Sequence, residues 1–225
     1  MNSIEPATNE PDPIAGWPLL DSRIDLDGEI IELSLIDQDY VIDRLVEENA
    51  DLEHRNPYFG LVWPSAIVLG KAIARRVDLE NKSLLDLGCG PGLLGMAAAK
   101  HGARVTFADV MPECVSLVKR NLTHAGLTGR VLRYDLRDTT IDLGTFDFIV
   151  ASDVLYERPL ANAMLDAIER LLRPNGRALL SDPMRPTAHE FAHNASRRGF
   201  TVQDEKTTIV DEGKTITVRI FELTR

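Results

Sequence analysis

Cysteine is scarce in this chain: Cys89 and Cys114 are the only two in 225 residues. Two thiols cannot build a disulfide framework, and they supply too few thiolates for a structural zinc site. Long apolar runs are missing as well; none approaches the ~20 residues that a membrane-spanning helix needs. The N-terminus is acidic and proline-rich, without the basic region and apolar core of a secretion signal, so the expectation is a cytoplasmic protein with no membrane partner. Basic clusters are also lacking. Arg75-Arg76 and Arg197-Arg198 are isolated pairs in a chain of net charge −10. Such a surface repels nucleic acid, and a neutral or basic partner suits it better.

What is present suits one large domain with a full core: 44% of the residues are apolar and 27% charged, the ordinary balance of a globular protein. Residues 1–21 are polar and aperiodic, and are expected to be disordered or loosely packed. Residues 22–225 are expected to form a single domain, with 22–57 as an N-terminal extension of a core at 58–225. Arg23–Leu26 and Glu29–Ile36 flank Asp27-Gly28, a hairpin signal, and a short helix is expected around Val41–Ala50. Ser65–Arg76 presents an apolar helical face through Val68, Leu69, Ala72 and Ile73.

From Ser83 onward strands and helices alternate. Strands are expected at Ser83–Leu87, Arg104–Ala108, Arg130–Tyr134, Phe146–Ala151 and Arg177–Ser181. Helices are expected at Leu93–His101, from Pro112, from Pro159 to Leu172, and at Thr187–Arg198. Two strand-like runs, Phe200–Val210 and Lys214–Thr224, then flank Asp211-Glu212-Gly213 and read as a closing hairpin. Alternation of this kind implies an α/β, Rossmann-like, doubly wound and mostly parallel sheet. Ligands of such sheets bind beyond the carboxyl ends of the strands.

The most informative stretch is Ser-Leu-Leu-Asp-Leu-Gly-Cys-Gly-Pro-Gly at 83–92, an apolar strand running into Gly88, Gly90 and Gly92. Glycines there let the backbone turn sharply and lie against a ligand. Asp86 discriminates between ligands. A carboxylate at the loop repels the phosphates of a dinucleotide but favours the cationic, phosphate-free S-adenosylmethionine (SAM). Aspartates also stand at or just past the ends of the following strands, as Asp109, Asp135 and Asp153. Asp109 follows Gly88 at close to the ~20-residue spacing at which an acidic side chain meets a ribose. Asp135 is placed for an adenine amino group, and Asp153 for the methionine end or the incoming acceptor. The bland alternative is that aspartates simply favour strand-to-loop turns.

Two motifs compete. Gly90-Pro91-Gly92-Leu93-Leu94-Gly95 satisfies the dinucleotide pattern G-x-G-x-x-G, against which Asp86 stands. His189-Glu190-Phe191-Ala192-His193 matches H-E-x-x-H, but Ala188, Phe191, Ala192 and Ala195 are the core-facing stripe of that helix and leave both histidines toward solvent. No metal site is expected.

Asp86-Leu87-Gly88-Cys89-Gly90-Pro91-Gly92, Asp109 and Asp153 together resemble the signature of the class I, seven-β-strand SAM-dependent methyltransferases. Asp153-Val154-Leu155-Tyr156, with Glu157 following, resembles the D-x-x-Y motif of the protein-lysine methyltransferase-like group, and Leu61-Val62-Trp63-Pro64-Ser65 its tryptophan segment. Asp182-Pro183-Met184-Arg185-Pro186 resembles a stretch of the branch that modifies the electron-transfer flavoprotein β subunit, motifs shared with bacterial relatives labelled as predicted nicotinamide N-methyltransferases. Val154 and Leu155 replace the two prolines typical of enzymes that methylate exocyclic base or glutamine amines, which counts against that chemistry. The resemblance spans Tyr58–Arg225 and implies a seven-stranded sheet whose last strand is antiparallel.

It also implies SAM as cofactor, S-adenosylhomocysteine as product, and transfer to a lysine of a protein partner; the alternatives are a small-molecule N- or O-acceptor, or a module that binds SAM without transferring methyl groups. A monomer is the expected state. The cofactor-binding set is then Trp63, Asp86, Gly88, Cys89, Gly90, Gly92, Asp109, Val110, Asp135, Leu136 and Ser152, with Asp153 and Tyr156 at the reacting end. Asp153 is expected to hold the SAM ammonium or to accept from the attacking amine, Tyr156 to wall the acceptor channel and Trp63 to close the cofactor side. Equally, Trp63 and Tyr156 could be core aromatics, and Asp182 with Arg185 a turn closed by a local ion pair.

Overall fold

The computed structural model describes residues 14, 16–47, 58–76 and 78–225. The disorder expected of residues 1–13, and the end of the helix expected to reach Ala50, lie outside the described residues.

An N-terminal hairpin pairs β1 (Leu19–Leu26) with β2 (Glu29–Ile36) across Asp27 and Gly28, whose φ angles of 60° and 101° suit a tight antiparallel turn. β1 starts at Leu19 rather than Arg23. Its register runs unbroken from Leu26↔Glu29 to Leu19↔Ile36, and Leu19 packs with Trp17 and Phe59 over Ile36 and Val41. Residues 19–21 are thus part of the hairpin, not of a loose tail. Helix α1 (Gln38–Glu47) begins earlier than expected because Asp37 caps it, its carboxylate accepting from the Tyr40 amide at 3.1 Å.

A 3₁₀ turn (Tyr58–Gly60) and α2 (Pro64–Ala74) lead into the alternating region. Its elements are β3 (Ser83–Leu87), α3 (Leu93–Lys100), β4 (Arg104–Asp109), α4 (Pro112–Ala125), β5 (Arg130–Arg133), β6 (Phe146–Ser152), α5 (Arg158–Leu171), β7 (Leu172–Asp182), α6 (Pro186–Arg197), β8 (Thr201–Asp211) and β9 (Lys214–Thr224). They form one seven-stranded sheet in the order β5-β4-β3-β6-β7-β9-β8. Only β9 runs against the others, paired antiparallel to both β7 and β8.

Side-chain alternation along each strand divides the core between the two faces. Leu84, Phe107, Phe148, Val150 and Leu179 point to the face covered by α2, α3 and α4, where Leu69, Ile73, Met96 and Val118 are buried. Leu85, Leu87, Ala108, Ile149, Ala151 and Leu180 point to the other face, under α5 and α6, with Met164, Leu165, Ile168 and Phe191.

β7 departs from the expectation. It starts at Leu172, not Arg177, because Leu172 pairs with Phe146 and Arg177 with Phe148, so Arg173–Gly176 bulge opposite Asp147 alone. A Cβ on Gly176 would lie 2.9 Å from the Arg173 carbonyl oxygen and 3.0 Å from that of Asp147, which only glycine tolerates. The Pro174-Asn175-Gly176 turn signal is therefore a turn folded into a strand.

Candidate functional site

β3, β4, β5 and β6 are parallel, so their carboxyl ends share one rim of the sheet. A cavity of about 720 Å³ opens there, a size in the range of small-molecule sites. Asp86, Asp109, Asp135 and Asp153 all line it, as do Gly88, Cys89, Gly90, Val110, Leu136, Ser152, Trp63 and Tyr156. Gly92 does not. It sits at the start of α3 beneath the loop, where an added Cβ would lie 3.1 Å from Val118. Its place is structural, in the turn from loop to helix.

The loop after β3 is fixed by backbone contacts. The amides of Gly88 and Cys89 donate to the Ala108 carbonyl at 2.8 and 3.2 Å, and the Gly90 amide donates to Asp109 Oδ2 at 2.9 Å. Gly90 has φ 50° and would bring a Cβ within 3.2 Å of the Phe59 carbonyl, so a side chain here would push the 3₁₀ turn away. Asn121 on α4 ties the loop to the N-terminal hairpin. Its Oδ1 accepts from the Ser34 amide at 2.7 Å, while Nδ2 donates to the carbonyls of Ser34 and Pro91 at 3.1 and 2.9 Å.

The carboxyls are not equivalent. Asp86 is buried and accepts from the Gly95 amide at 2.8 Å; burial, helped by the nearby Asp109 charge, pushes its pKa up to about 8. Asp109 is raised by burial too, although the Met111 and Gly90 amides each donate to it at 2.9 Å. Asp135 is gripped by Arg137, whose Nη2 lies at 2.7 Å, and its pKa is held down. The oxygens expected to meet an adenine amino group are therefore already engaged by a guanidinium.

Asp153 differs from all three. It follows β6 in a left-handed conformation, φ 58°, which aspartate tolerates better than most residues. Its side chain is only 10% exposed, and Oδ1 accepts from Arg185 Nη1 at 3.1 Å. Oδ2 is buried with no hydrogen-bonding partner, although the Ser65 hydroxyl approaches the group. Burial raises the Asp153 pKa and Arg185 opposes it. Arg185 in turn donates from Nη1 to Asp182 Oδ2 at 2.8 Å and from its backbone amide to Asp182 Oδ1 at 2.6 Å, and Asp182 is fully buried. The Asp182–Arg185 turn thus does more than close a local ion pair; it reaches Asp153.

Trp63 and Tyr156 are not core aromatics: they are 38% and 57% exposed in the cavity wall. Trp63 Nε1 donates to the Tyr58 carbonyl at 3.2 Å, and the Tyr58 and Trp63 rings lie 6.0 Å apart. The thiols of Cys89 and Cys114 are buried and pushed up by burial and by neighbouring carboxyls, which makes them poor nucleophiles. His189 and His193 are exposed, Glu190 pairs with Arg158 at 2.6 Å, and no metal-ligand cluster exists among the described residues. Wall residues that carried no assignment from sequence include Phe59, Met111 and Arg137, and Arg185 had been read only with Asp182. Arg137 had a readable signal, a cation two residues after a rim carboxylate; Phe59 had none, because it contributes a carbonyl.

Residues 84–176, which hold the loop and the four carboxyls, match the methyltransferase domain family. The match takes in less than half of the chain and is a likeness to that domain. One solved structure of similar fold, a 16S rRNA N2 G1207 methyltransferase of T. thermophilus, is in complex with AdoMet, that is SAM. The chain is 34% identical over 110 residues to a ubiquinone biosynthesis O-methyltransferase of Xylella fastidiosa, a stretch covering 48% of this chain and 45% of that protein. It thus matches about half the length of such curated relatives. Among solved structures, a precorrin 8w decarboxylase of Methanobacterium thermoautotrophicum superimposes with a TM-score of 0.61 at 21% identity, over 73% of this chain and 94% of that one. A magnesium protoporphyrin IX methyltransferase of Synechocystis, with bound SAM, gives 0.59 at 18% identity, over 85% and 98%. At these identities the likeness is one of fold.

The cavity fits SAM on its own chemistry. It is walled by apolar side chains such as Leu61, Val62, Leu93 and Leu94, it carries buried carboxyls that accept hydrogen bonds, and it includes a loop in which added side chains would collide with their neighbours. Among the described residues no helix is long and apolar enough to cross a membrane.

Proposed function

We propose that this chain transfers a methyl group from SAM to an O–H or N–H group of a small molecule. The observation that carries the reading is the Asp153 carboxyl, an acceptor buried in the cavity wall with one oxygen that makes no hydrogen bond of its own there. A nucleophile that must lose a proton supplies the missing donor. The names of the matched relatives, which methylate oxygen in ubiquinone biosynthesis, support a small-molecule acceptor. The protein lysine implied by the D-x-x-Y resemblance draws no support from them, and the small molecule takes its place.

Bound SAM supplies an electrophilic methyl on a cationic sulfur. The acceptor's lone pair forms the new bond to that carbon, the carbon–sulfur bond breaks with its pair on sulfur, and the acceptor's proton passes to Asp153. Asp86 and Asp109, with the backbone at Gly88 and Gly90, would hold the cofactor, and Asp135 with Arg137 would serve its adenosine end. Tyr156, Trp63 and Tyr58 wall the acceptor side. Alignment of the two reactants in this cavity lowers the barrier.

The test is incubation of the purified chain and methyl-labelled SAM with a cell extract, followed by size separation. Label in low-molecular-weight products supports the reading. Label in a protein band overturns it in favour of a protein acceptor, and absence of transfer despite measurable S-adenosylhomocysteine binding overturns it in favour of a binding module.

A further inference from the structure

We infer that Arg185 is a positioning residue: bridging Asp153 and Asp182, it pins the Asp153 carboxyl in the cavity wall and leaves one of its oxygens for the acceptor's proton. This rests on the proposed methyl transfer and assigns the part of the site that serves Asp153.

The geometry has three parts. Asp182, at the end of β7, is fully buried and both its oxygens are taken by Arg185, one by the backbone amide at 2.6 Å and one by Nη1 at 2.8 Å. The guanidinium is therefore anchored from below, and Pro186 starts α6 immediately behind it. The same Nη1 reaches Asp153 Oδ1 at 3.1 Å, across two strand ends that are neighbours in the sheet. Asp153 is itself held by its amide, which donates to the Ser181 carbonyl at 3.0 Å, in a backbone conformation unusual for a side-chain-bearing residue. Among the buried side-chain oxygens of Asp153 and Asp182, only Asp153 Oδ2 has no hydrogen-bond partner. A local ion pair between Asp182 and Arg185 would need no third member. The third member lies in the cavity wall, where a proton must go.

Two charged groups face Asp153: Arg185 at the start of α6 and Asp182 at the end of β7, with the Ser65 hydroxyl of α2 alongside. They act in opposite senses. Arg185 favours the ionised carboxyl, the form that accepts a proton, and the Asp182 charge disfavours it. Removing one or the other should displace the titration of Asp153 in opposite directions, a response that a purely structural bridge does not produce.

The experiment uses the full chain with S-adenosylhomocysteine bound and ¹³C-labelled aspartate carboxyls, the Asp153 signal being assigned by its loss in Asp153→Asn. The expected midpoint rises by about one pH unit or more in Arg185→Gln, falls in Asp182→Asn, and lies between Arg185→Gln and the parent in Arg185→Lys, which restores charge without the planar guanidinium. S-adenosylhomocysteine affinity, measured by calorimetry for each variant, reports whether the fold survives; if Arg185→Gln fails to fold, Arg185→Lys and Asp182→Asn decide between themselves. Equal midpoints in the parent and the folded variants overturn the inference. A second arm follows the pH dependence of methylation using a panel of simple phenols and anilines as probes. There the acid limb of kcat should move with the midpoints. Failure of the parent to methylate any probe or extract component counts against the proposed function, while the carboxyl titration, which needs no acceptor, still decides the role of Arg185.

Discussion

Asp86 accepts from the Gly95 amide out of reach of solvent, and its carboxyl keeps its proton up to a pH of about 8. In the unfolded chain the same group ionises near 4. Between those values the folded protein holds a proton that the unfolded chain has lost, so folding stability falls as pH rises across the window. The loss accumulates to a few kcal/mol, with about 5 as its ceiling. Asp86→Asn keeps an oxygen for the Gly95 amide and removes the ionisation. Denaturant midpoints of the ligand-free protein at pH 5 and 8.5 should therefore fall more steeply in the parent than in this variant, while the variant binds SAM more weakly. Asp153→Asn should leave S-adenosylhomocysteine binding largely intact and lower kcat by about 10²-fold or more, as loss of a proton acceptor does. Tyr156→Phe should show a smaller loss in the same assay. The sequence located all four rim carboxyls, because aspartates at strand ends are readable from alternation alone. It did not rank them, because burial and pairing depend on Arg137, Arg185 and the Gly95 amide, which arrive from other segments.

Among the elements, α4 joins parts that are remote in the chain. Asn121 is fully buried and serves the edge of β2, whose Ser34 backbone groups have no strand on that side, and the carbonyl of Pro91 in the glycine loop. Asn121→Ala leaves the buried Ser34 amide without a partner, and we expect a loss of ~3 kcal/mol of stability in chemical denaturation. Affinity for S-adenosylhomocysteine should fall in the same variant, because the loop loses its tether. Gly95 on α3 faces Phe107 so closely that an added Cβ would lie 2.2 Å from its ring. Gly95→Ala should cost about 3 kcal/mol by forcing helix and strand apart, read by the same measurement. Helices and strands were legible here from periodicity and punctuation, with ends displaced where a cap intervened, as at Asp37. The contacts of Asn121 were not legible; a polar residue on an apolar helical stripe gives no address for its partners.

For the molecule as a whole, the matched domain and the folding unit are not the same stretch. The family match ends at residue 176, yet β7 continues to Asp182 and is closed by β9, with Val218, Phe221 and Leu223 buried against the sheet. A fragment spanning residues 83–182 should therefore show no cooperative thermal unfolding, whereas the full chain does; near-ultraviolet circular dichroism distinguishes them. The closing hairpin was readable from its alternation and its Asp211-Glu212-Gly213 turn. Its threading was not, since nothing local in Lys214–Thr224 states that this strand lies inside β8. That threading has a consequence during synthesis. β8 is made before β9 but must settle outside it, so a nascent chain that has completed α6 carries β7 as a bare hydrogen-bonding ladder beside a finished parallel sheet. During that interval the growing polypeptide is a template for strands of its neighbours on the same message, and translation speed through residues 201–224 governs how long the hazard lasts.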